Sequence, residues 1–183
     1  MAWNGVFSWQ RATPLSGAHV EIHVDNATAE VTGVEIVSPL VDAELTVVVD
    51  EAFRAADRHT EGARDALVKR ALDDAKGDVG IPGRLTGKAT RFANEAMHVV
   101  PREHFTGSAG ALAVTVDGLL AFVACRVDDA TRAGRTHAEL LGDAVLARAD
   151  AMRLALSRWR DVGHGALEQA PALPSSGAAV DGA

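Results

Sequence analysis

Cysteine and aromatic side chains are scarce in this chain of 183 residues. Cys125 is the single cysteine, tyrosine is absent, and aromatic residues make up 4% of the sequence. One cysteine cannot form an internal disulfide, and it cannot build a zinc site from a cysteine cluster. We therefore expect a fold that is stable without disulfide bonds, with Cys125 as a small core residue rather than a nucleophile.

Long apolar runs are also missing. No stretch is long enough to span a bilayer, and the first residues lack the basic region and apolar stretch of a signal peptide. We expect a cytoplasmic protein without a membrane partner. Arginine far outnumbers lysine, and alanine, valine, glycine and aspartate are abundant, which is typical of a GC-rich bacterial genome.

The composition is that of a globular protein. Apolar residues account for 48% of the chain and charged residues for 23%, so the chain can bury a proper core. We predict one globular domain over residues 1–169. Proline, serine and glycine interrupt any periodicity after residue 170, which predicts a disordered tail over residues 170–183.

Two stretches of alternating apolar residues predict β-hairpins. In the first, Val20, Ile22 and Val24 share one face, a turn follows at residues 25–28, and the chain returns to Ile36. In the second, Asp117-Gly118 predicts a two-residue turn. The residues that we expect on the apolar face of the second hairpin are Val114, Val116, Ala121, Val123, Cys125 and Val127.

Each hairpin is followed by apolar residues at helical spacing. The first helix has a candidate N-cap at Asp42 and continues to about Ala75, and the second begins at a capping box, Thr136 to Glu139, and ends before a turn at residues 163–165. A shorter helix is predicted over residues 86–98. The apolar stripes of the two long helices are Val41, Leu45, Val48, Val49, Ala52, Ala55 and Ala56, and Leu140, Leu141, Ala144, Val145, Ala147, Ala151, Leu154 and Ala155.

These elements predict an α/β (α+β) fold in which antiparallel hairpins pack against long Ala-rich helices. The two similar units, about residues 18–76 and 110–160, are either an internal duplication or two ordinary hairpin-helix units of similar composition. The hairpins either share one sheet or form two.

Charge is unevenly distributed along the chain. The net charge is −7, and acidic residues outnumber basic ones in residues 1–77. An acidic surface disfavours nucleic acid, whereas a local basic run can still face a phosphate or an acidic protein. If DNA is the partner, the residues we expect to contact it are Arg84, Lys88, Arg91 and Arg102; the alternative for this run is a solvated helix face.

A second group of basic residues precedes the second long helix. Arg132, Arg135 and His137 stand near a helix N-terminus, which attracts anions, so they form a candidate anion-binding site. If the protein were a small enzyme or a ligand-binding protein for an anionic metabolite, His137 would be its acid or base.

The seven histidines do not show the spacing of a metal site. His19 and His23 lie on one face of a strand but about 13 Å apart, too far to share an ion, and neither has an evident partner in the local sequence. We therefore predict no metal, no cofactor and no catalytic residue.

The first unit resembles the YbaB/EbfC nucleoid-associated proteins in its run from Ala18 to Asp25, its second strand from Glu30 to Ile36 and the helix that follows. The resemblance implies a strand-strand-helix fold, a homodimer and DNA binding without sequence preference. A long polar helix opens that family, whereas eighteen residues precede His19 here. The leading hypothesis is a bacterial binding module for DNA or a protein; a scaffold or secretion adaptor that contacts its partner through Trp3, Phe7 and Trp9 is the alternative.

Overall fold

The computed structural model describes residues 4–10, 19–38, 40, 44–77 and 94–168. Antiparallel strands and long helices fill these ranges and confirm the α+β fold class. The strands are β1 (Asn4–Gln10), β2 (His19–Asp25), β3 (Glu30–Ile36), β4 (His104–Ala109), β5 (Leu112–Asp117) and β6 (Phe122–Val127). The helices are α1 (Leu45–Gly77), α2 (residues 94–99), α3 (Asp129–Arg132) and α4 (His137–Glu168), with a 3₁₀ turn at Val100–Arg102 after α2.

The strands form two separate antiparallel sheets. One has the order β1-β2-β3 and the other the order β4-β5-β6, and within the described ranges no strand of one sheet pairs with a strand of the other. The chain therefore passes twice through three antiparallel strands before it enters a long helix. Both predicted hairpin-helix units are present, each with an additional first strand.

The first hairpin is closed by its own aspartate. Asp25 Oδ1 accepts hydrogen bonds from the backbone N–H groups of Ala27 at 2.8 Å and Thr28 at 3.4 Å, which is an Asx turn. Ala29 completes the turn in the left-handed region at φ 55°. The predicted apolar face of β2, which consists of Val20, Ile22 and Val24, is buried.

The second hairpin has a longer turn than the two-residue turn that we predicted from Asp117-Gly118. Asp117 Oδ1 accepts from the backbone N–H groups of both Leu119 and Ala121 at 2.9 Å, and Leu120 has a positive φ of 64°. The aspartate side chain thus organises residues 118–121, because it accepts hydrogen bonds from two backbone N–H groups of this longer turn.

A β-bulge changes which side chains of β6 face the core. Thr115 lies opposite Ala124 and Val116 lies opposite Phe122, so Val123 is the additional residue. As a result Phe122 is buried, and the prediction that Ala121 and Val123 would lie on the apolar face was wrong. Beyond the bulge the predicted phase is correct, since Cys125 and Val127 pack against the core.

The two long helices hold the sheets together. α4 packs on β4 and β5 and also reaches β3, whereas α1 packs along α4 and contacts β6. Each helix therefore touches the sheet of the other unit as well as its partner helix. The main core combines residues from both units, including Val20, Ile22, Val24, Val48, Ala52, Phe53, Leu112, Val114, Phe122, Leu140, Leu141 and Ala144.

α4 extends further than the sequence pattern predicts. The expected turn at residues 163–165 is helical, and α4 ends at Glu168. Trp159 and Val162 are buried in a second cluster with Val100 and Leu120, and this burial outweighs the cost of about 1 kcal/mol for each glycine in a helix. Leu154, predicted on the buried stripe, is 41% exposed.

Strands β1 and β4 were missed by the sequence analysis. β4 contains Gly107, and a glycine in the local sequence favours a loop. In the structure this glycine allows β4 and α4 to approach each other closely. A Cβ at position 107 would overlap the Ala147 carbonyl and the Ala151 N–H of α4. The absent side chain therefore allows the α4 backbone to lie directly on β4.

Some predictions fall outside the described residues. These are the Asp42 cap, the first part of the helix predicted over residues 86–98, and the tail over residues 170–183; residues 94–99 of that helix are helical as expected. Among the described helices, none combines the length and the apolar character needed to cross a bilayer.

Candidate functional site

The predicted DNA-contacting residues are described only in part. Arg84, Lys88 and Arg91 lie outside the described residues. Arg102 closes the 3₁₀ turn before β4, and its side chain is exposed. The DNA-contacting set thus stays a prediction.

Arg135 of the predicted anion site is engaged by a carboxylate. Its guanidinium forms a bidentate pair with Asp143, with Nη1 at 2.6 Å from Oδ2 and Nη2 at 3.0 Å from Oδ1. Asp143 also accepts from the Ala111 N–H at 3.0 Å, and a Cβ at Gly110 would overlap both charged groups. Arg135 therefore braces the start of α4 against the turn between β4 and β5, and its charge is balanced there.

The N-terminus of α4 already has a carboxylate. The predicted capping box is confirmed, since Glu139 accepts from the Thr136 N–H at 2.7 Å and its N–H donates to Thr136 Oγ1 at 3.3 Å. The hydrogen bonds that the Thr136 N–H and, at 2.9 Å, the Thr136 hydroxyl donate to the Glu139 carboxylate hold the pKa of Glu139 below its ordinary value. Arg132 and His137 are half-buried beside this cap, and an anion site formed by them stays a prediction.

Cys125 is poorly suited to chemistry at neutral pH. Burial raises the pKa of its thiol to about 12, and the nearby Asp50 carboxylate adds to the shift. The thiol therefore stays protonated, and its packing against the main core agrees with the expected structural role.

A buried charged network joins the two units, and the sequence analysis missed it. Asp57 of α1 and Arg148 of α4 form an ion pair in which Asp57 Oδ1 lies 2.6 Å from Arg148 Nη2. Only 1% of the Arg148 side chain is exposed. The other carboxylate oxygen of Asp57 accepts from the Phe122 N–H at 2.5 Å, and Arg148 donates to the Ala29 carbonyl at 3.3 Å. The pair thus connects both hairpin turns to both long helices.

A second arginine completes this network. Arg64 of α1 donates to the Leu119 carbonyl at 3.2 Å and to the Asp57 carbonyl at 3.0 Å. Burial lowers the pKa of Arg148, and the charge of Asp57 opposes that shift. The hydrogen bonds of Asp57, Arg64 and Arg148 go to the long helices and to the hairpin turns. The network therefore aligns the two units. The sequence signal that could have revealed this network is the presence of an aspartate and two arginines close to the apolar stripes of the two long helices.

The described surface contains a groove along α4. It has a volume of about 460 Å³ and lies between α4, Leu67 of α1 and the turn of the first hairpin at Thr28 and Glu30. The α4 residues that line it are Ala149, Asp150, Met152, Arg153, Leu156 and Arg160. We call this surface the α4 groove.

Potential metal ligands occur on the first sheet. Contrary to our expectation, His23 has a partner nearby, since its Nε2 lies 3.4 Å from Glu35 Oε1 on the neighbouring strand. Glu21 lies close to both, and one ligand atom from each of the three side chains falls within 4.8 Å of the others. Spacing along one strand could not reveal a group that forms across two strands.

The hydrophobic N-terminal segment is partly described. Phe7 and Trp9 belong to β1, where they lie opposite Ile22 and Val20 of β2, and Trp3 lies outside the described residues. The segment is therefore a strand of the first sheet, so trimming it would also remove the partner of β2. Its proposed role as an adaptor surface stays untested.

Comparison of the chain with protein-family models, curated proteins and solved structures finds no match. The resemblance to the YbaB/EbfC proteins stays a prediction.

Proposed function

We propose that this protein is a binding module that holds a helical segment of a protein partner in the α4 groove. The observation that carries the proposal is a second stripe on α4, which is exposed except at Leu156, a half-buried residue that packs against the second core cluster. Its residues recur at alternating intervals of three and four, as do those of a helix face that packs against another helix. The stripe consists of Gly142, Leu146, Ala149, Arg153, Leu156 and Arg160.

The exposure of this stripe supports a partner. Leu146 is 63% exposed although α4 already buries a full apolar face against the core. A Cβ at Gly142 would meet no atom within 4 Å, so the N-terminal end of the stripe is open. A helix could therefore approach closely at the small residues and place its own apolar side chains beside Leu146 and Leu156.

The charges of the groove favour a protein segment over DNA. Arg153 pairs with Asp150 on the same helix, and Glu30 adds a negative charge at the rim. Arg160 lies at the far end of the groove, seven residues from Arg153. A polyanion would meet these two carboxylates and a chain of net charge −7, whereas a helix with one or two carboxylates near Arg160 would be complementary.

A second copy of the chain is a poorer occupant of this groove. If two α4 helices packed antiparallel about the centre of the stripe, Arg153 would lie opposite Ala149 of the copy, and the two Arg153 residues would stand roughly 6 Å apart along the helix axis, close enough to repel. The homodimer expected from the sequence therefore belongs to another surface in our proposal. The cytoplasmic location and bacterial source also belong to the proposal and rest on composition.

A peptide-display selection tests the groove directly. Helical peptides of about 18 residues, five turns long, would be selected on the wild-type protein after removal of those that bind a Leu146→Asp, Ala149→Asp variant, in which both changed residues are exposed. We expect enriched peptides with apolar residues three and four apart and a carboxylate toward one end.

Fluorescence anisotropy of the best labelled peptide then measures its affinity. Leu146→Asp should weaken binding at least tenfold, because Leu146 is 63% exposed on the stripe. Arg160→Glu should shift the preference to a peptide with lysine in place of glutamate. Leu154→Asp, on another face of α4, is the matched control and should have no effect. Enrichment of no sequence, or equal loss in the control, would reject the proposal.

A further inference from the structure

We propose that Glu21, His23 and Glu35 form a binding site for a zinc-like divalent transition metal ion on the outer face of the first sheet. The site is separate from the α4 groove. Its ligands come from two neighbouring strands, with Glu21 and His23 on β2 and Glu35 on β3. The ion would thereby link the two strands of the first hairpin.

The backbone register places the three side chains together. Glu21 lies directly opposite Glu35, and His23 lies opposite Gly33. Because successive side chains of a strand alternate between faces, Glu21 and His23 share the face that Val20, Ile22 and Val24 do not occupy. The three ligands are thus provided by a local and ordered part of the sheet.

A bulge and a glycine adjust the position of the imidazole. The pairing of β2 with β3 shifts after His23, and Thr32 Oγ1 donates to the His23 carbonyl at 3.3 Å at this bulge. Since Gly33 has no side chain, the ring lies over it, with Cδ2 at 3.6 Å from where a Cβ would be. The ring nitrogen Nε2 is therefore aimed at Glu35 rather than into solvent.

The distances suit a small ion. His23 Nε2 is 3.4 Å from Glu35 Oε1, and ligands at the usual zinc distances are about 3.4 Å apart in a tetrahedron. Nε2 is shielded from solvent and makes no hydrogen bond within the described residues, so an ion would not have to displace a hydrogen-bond partner from this nitrogen. The Glu35 side chain is 69% exposed, which leaves a path for an ion and room for a water ligand.

The negative charge of this face favours a bound cation. Two carboxylates directly opposite each other on neighbouring strands repel. The strands β1, β2 and β3 contain no lysine or arginine, while β2 and β3 contain four acidic residues. A divalent ion between Glu21 and Glu35 would neutralise both carboxylates at once.

The ligand types determine the class of metal. One imidazole nitrogen with two carboxylate oxygens suits zinc and its neighbours, whereas magnesium and calcium prefer oxygen ligands only. With three protein ligands, a tetrahedral ion would keep one position for water or for a side chain of a partner. We therefore expect Zn²⁺ and Co²⁺ to bind and Ca²⁺ to bind far more weakly.

Titration calorimetry with zinc chloride tests the site on metal-free full-length protein that carries no histidine tag. We expect saturable binding at one site, and His23→Gln or Glu35→Gln should weaken it about tenfold or more. His104→Gln removes an exposed histidine of the other sheet and is the matched control, with unchanged affinity. Far-UV circular dichroism and the Tm without metal verify that the variants fold, and Glu35→Gln is the safer change because Glu35 is mostly exposed.

The visible absorption of bound Co²⁺ gives a second readout, because its intensity reports low coordination number and its ligands. Loss of the wild-type Co²⁺ spectrum in both His23→Gln and Glu35→Gln would support the site. The proposal would be overturned by the absence of saturable zinc binding, or by His23→Gln binding as the wild type does. Equal weakening in His104→Gln would likewise overturn it, since it would indicate general binding to surface histidines.

Discussion

At the scale of single residues, the buried charge of Arg148 is compensated mainly by one neighbour. Its side chain is almost fully buried on α4, and Asp57 of α1 supplies the carboxylate that compensates it. The Arg148 guanidinium also lies over the Phe53 ring, 5.6 Å from the centroid. Such a pair adds little net stability by itself, but removal of one partner leaves an uncompensated charge in the interior.

We predict that Asp57→Asn destabilises the protein by about 3–5 kcal/mol, because it removes the charge that balances Arg148 while keeping a hydrogen-bond acceptor. Urea denaturation measures the change in the free energy of unfolding. Asp65→Asn, an exposed position on the same helix, is the control and should change stability by less than about 0.5 kcal/mol. Adding Arg148→Met to Asp57→Asn should recover much of the loss; no recovery would show that the charge is not the cause.

The thiol of Cys125 gives a second prediction at this scale. Because burial raises its pKa to about 12, the thiolate fraction at about pH 8 is on the order of 1,000-fold below that of a free cysteine. We expect a thiol-reactive dye to label the native protein at least that much more slowly than the urea-unfolded protein. Fast labelling of the native protein would contradict the burial of this side chain.

At the scale of elements, the fold depends on how closely α4 approaches β4. Gly107 permits that approach, and the bidentate pair of Arg158 with Glu103, at 2.9 and 3.1 Å, ties α4 to the residue that precedes β4. This pair holds the pKa of Glu103 below its ordinary value of 4.5. The indole N–H of Trp159 donates to the Gly118 carbonyl at 2.6 Å. Because His104 pairs with Asp117, this bond holds the same end of the sheet to α4.

We predict that Gly107→Ala destabilises the protein by about 1–3 kcal/mol, because the new methyl group overlaps the α4 backbone, which cannot move aside as a flexible side chain could. Thermal unfolding followed by circular dichroism would show a lower Tm. Gly62→Ala is the matched control on α1, where a Cβ would meet nothing within 4 Å. That change should raise stability by about 1 kcal/mol, and a similar loss in both variants would contradict our explanation.

At the scale of the whole molecule, each unit is completed by the other. Arg148 of the second unit donates to the turn of the first hairpin, and Arg64 of the first unit donates to the turn of the second. Both long helices also contribute to one main core. The hairpin turns are therefore held by contacts between the units rather than by local sequence alone.

The DNA hypothesis can be tested at this scale. Anisotropy of a labelled duplex across a salt series, with the mass from light scattering on the same sample, measures affinity and oligomeric state together. If the basic run binds DNA, affinity should fall as salt rises, and replacing Arg84, Lys88, Arg91 and Arg102 by alanine should abolish it. Because the chain carries a net charge of −7, we expect no binding by the wild type at physiological salt. Salt-dependent binding by a dimer would favour the nucleoid-associated hypothesis instead.

Local patterns were sufficient for much of the fold. The alternation at Val20, Ile22 and Val24, the Thr136 to Glu139 capping box and the helical stripes all predict structures that are present, because each depends on neighbours in sequence. The failures share a different cause. β4 and the last turns of α4 depend on partners far along the chain, as shown by Gly107 under α4 and Trp159 against Gly118.

The same distinction between local pattern and long-range contact applies to the candidate sites. Sequence alone determined which residue types are available: a single cysteine, seven histidines, and arginines near helix ends. Only the tertiary structure decided their roles, since it paired Arg135 with Asp143, buried Arg148 against Asp57 and placed Glu35 opposite Glu21. The physical reason is that secondary structure follows from interactions a few residues apart. The electrostatic environment of a side chain is determined instead by whichever distant groups the folded chain brings within a few ångströms of it.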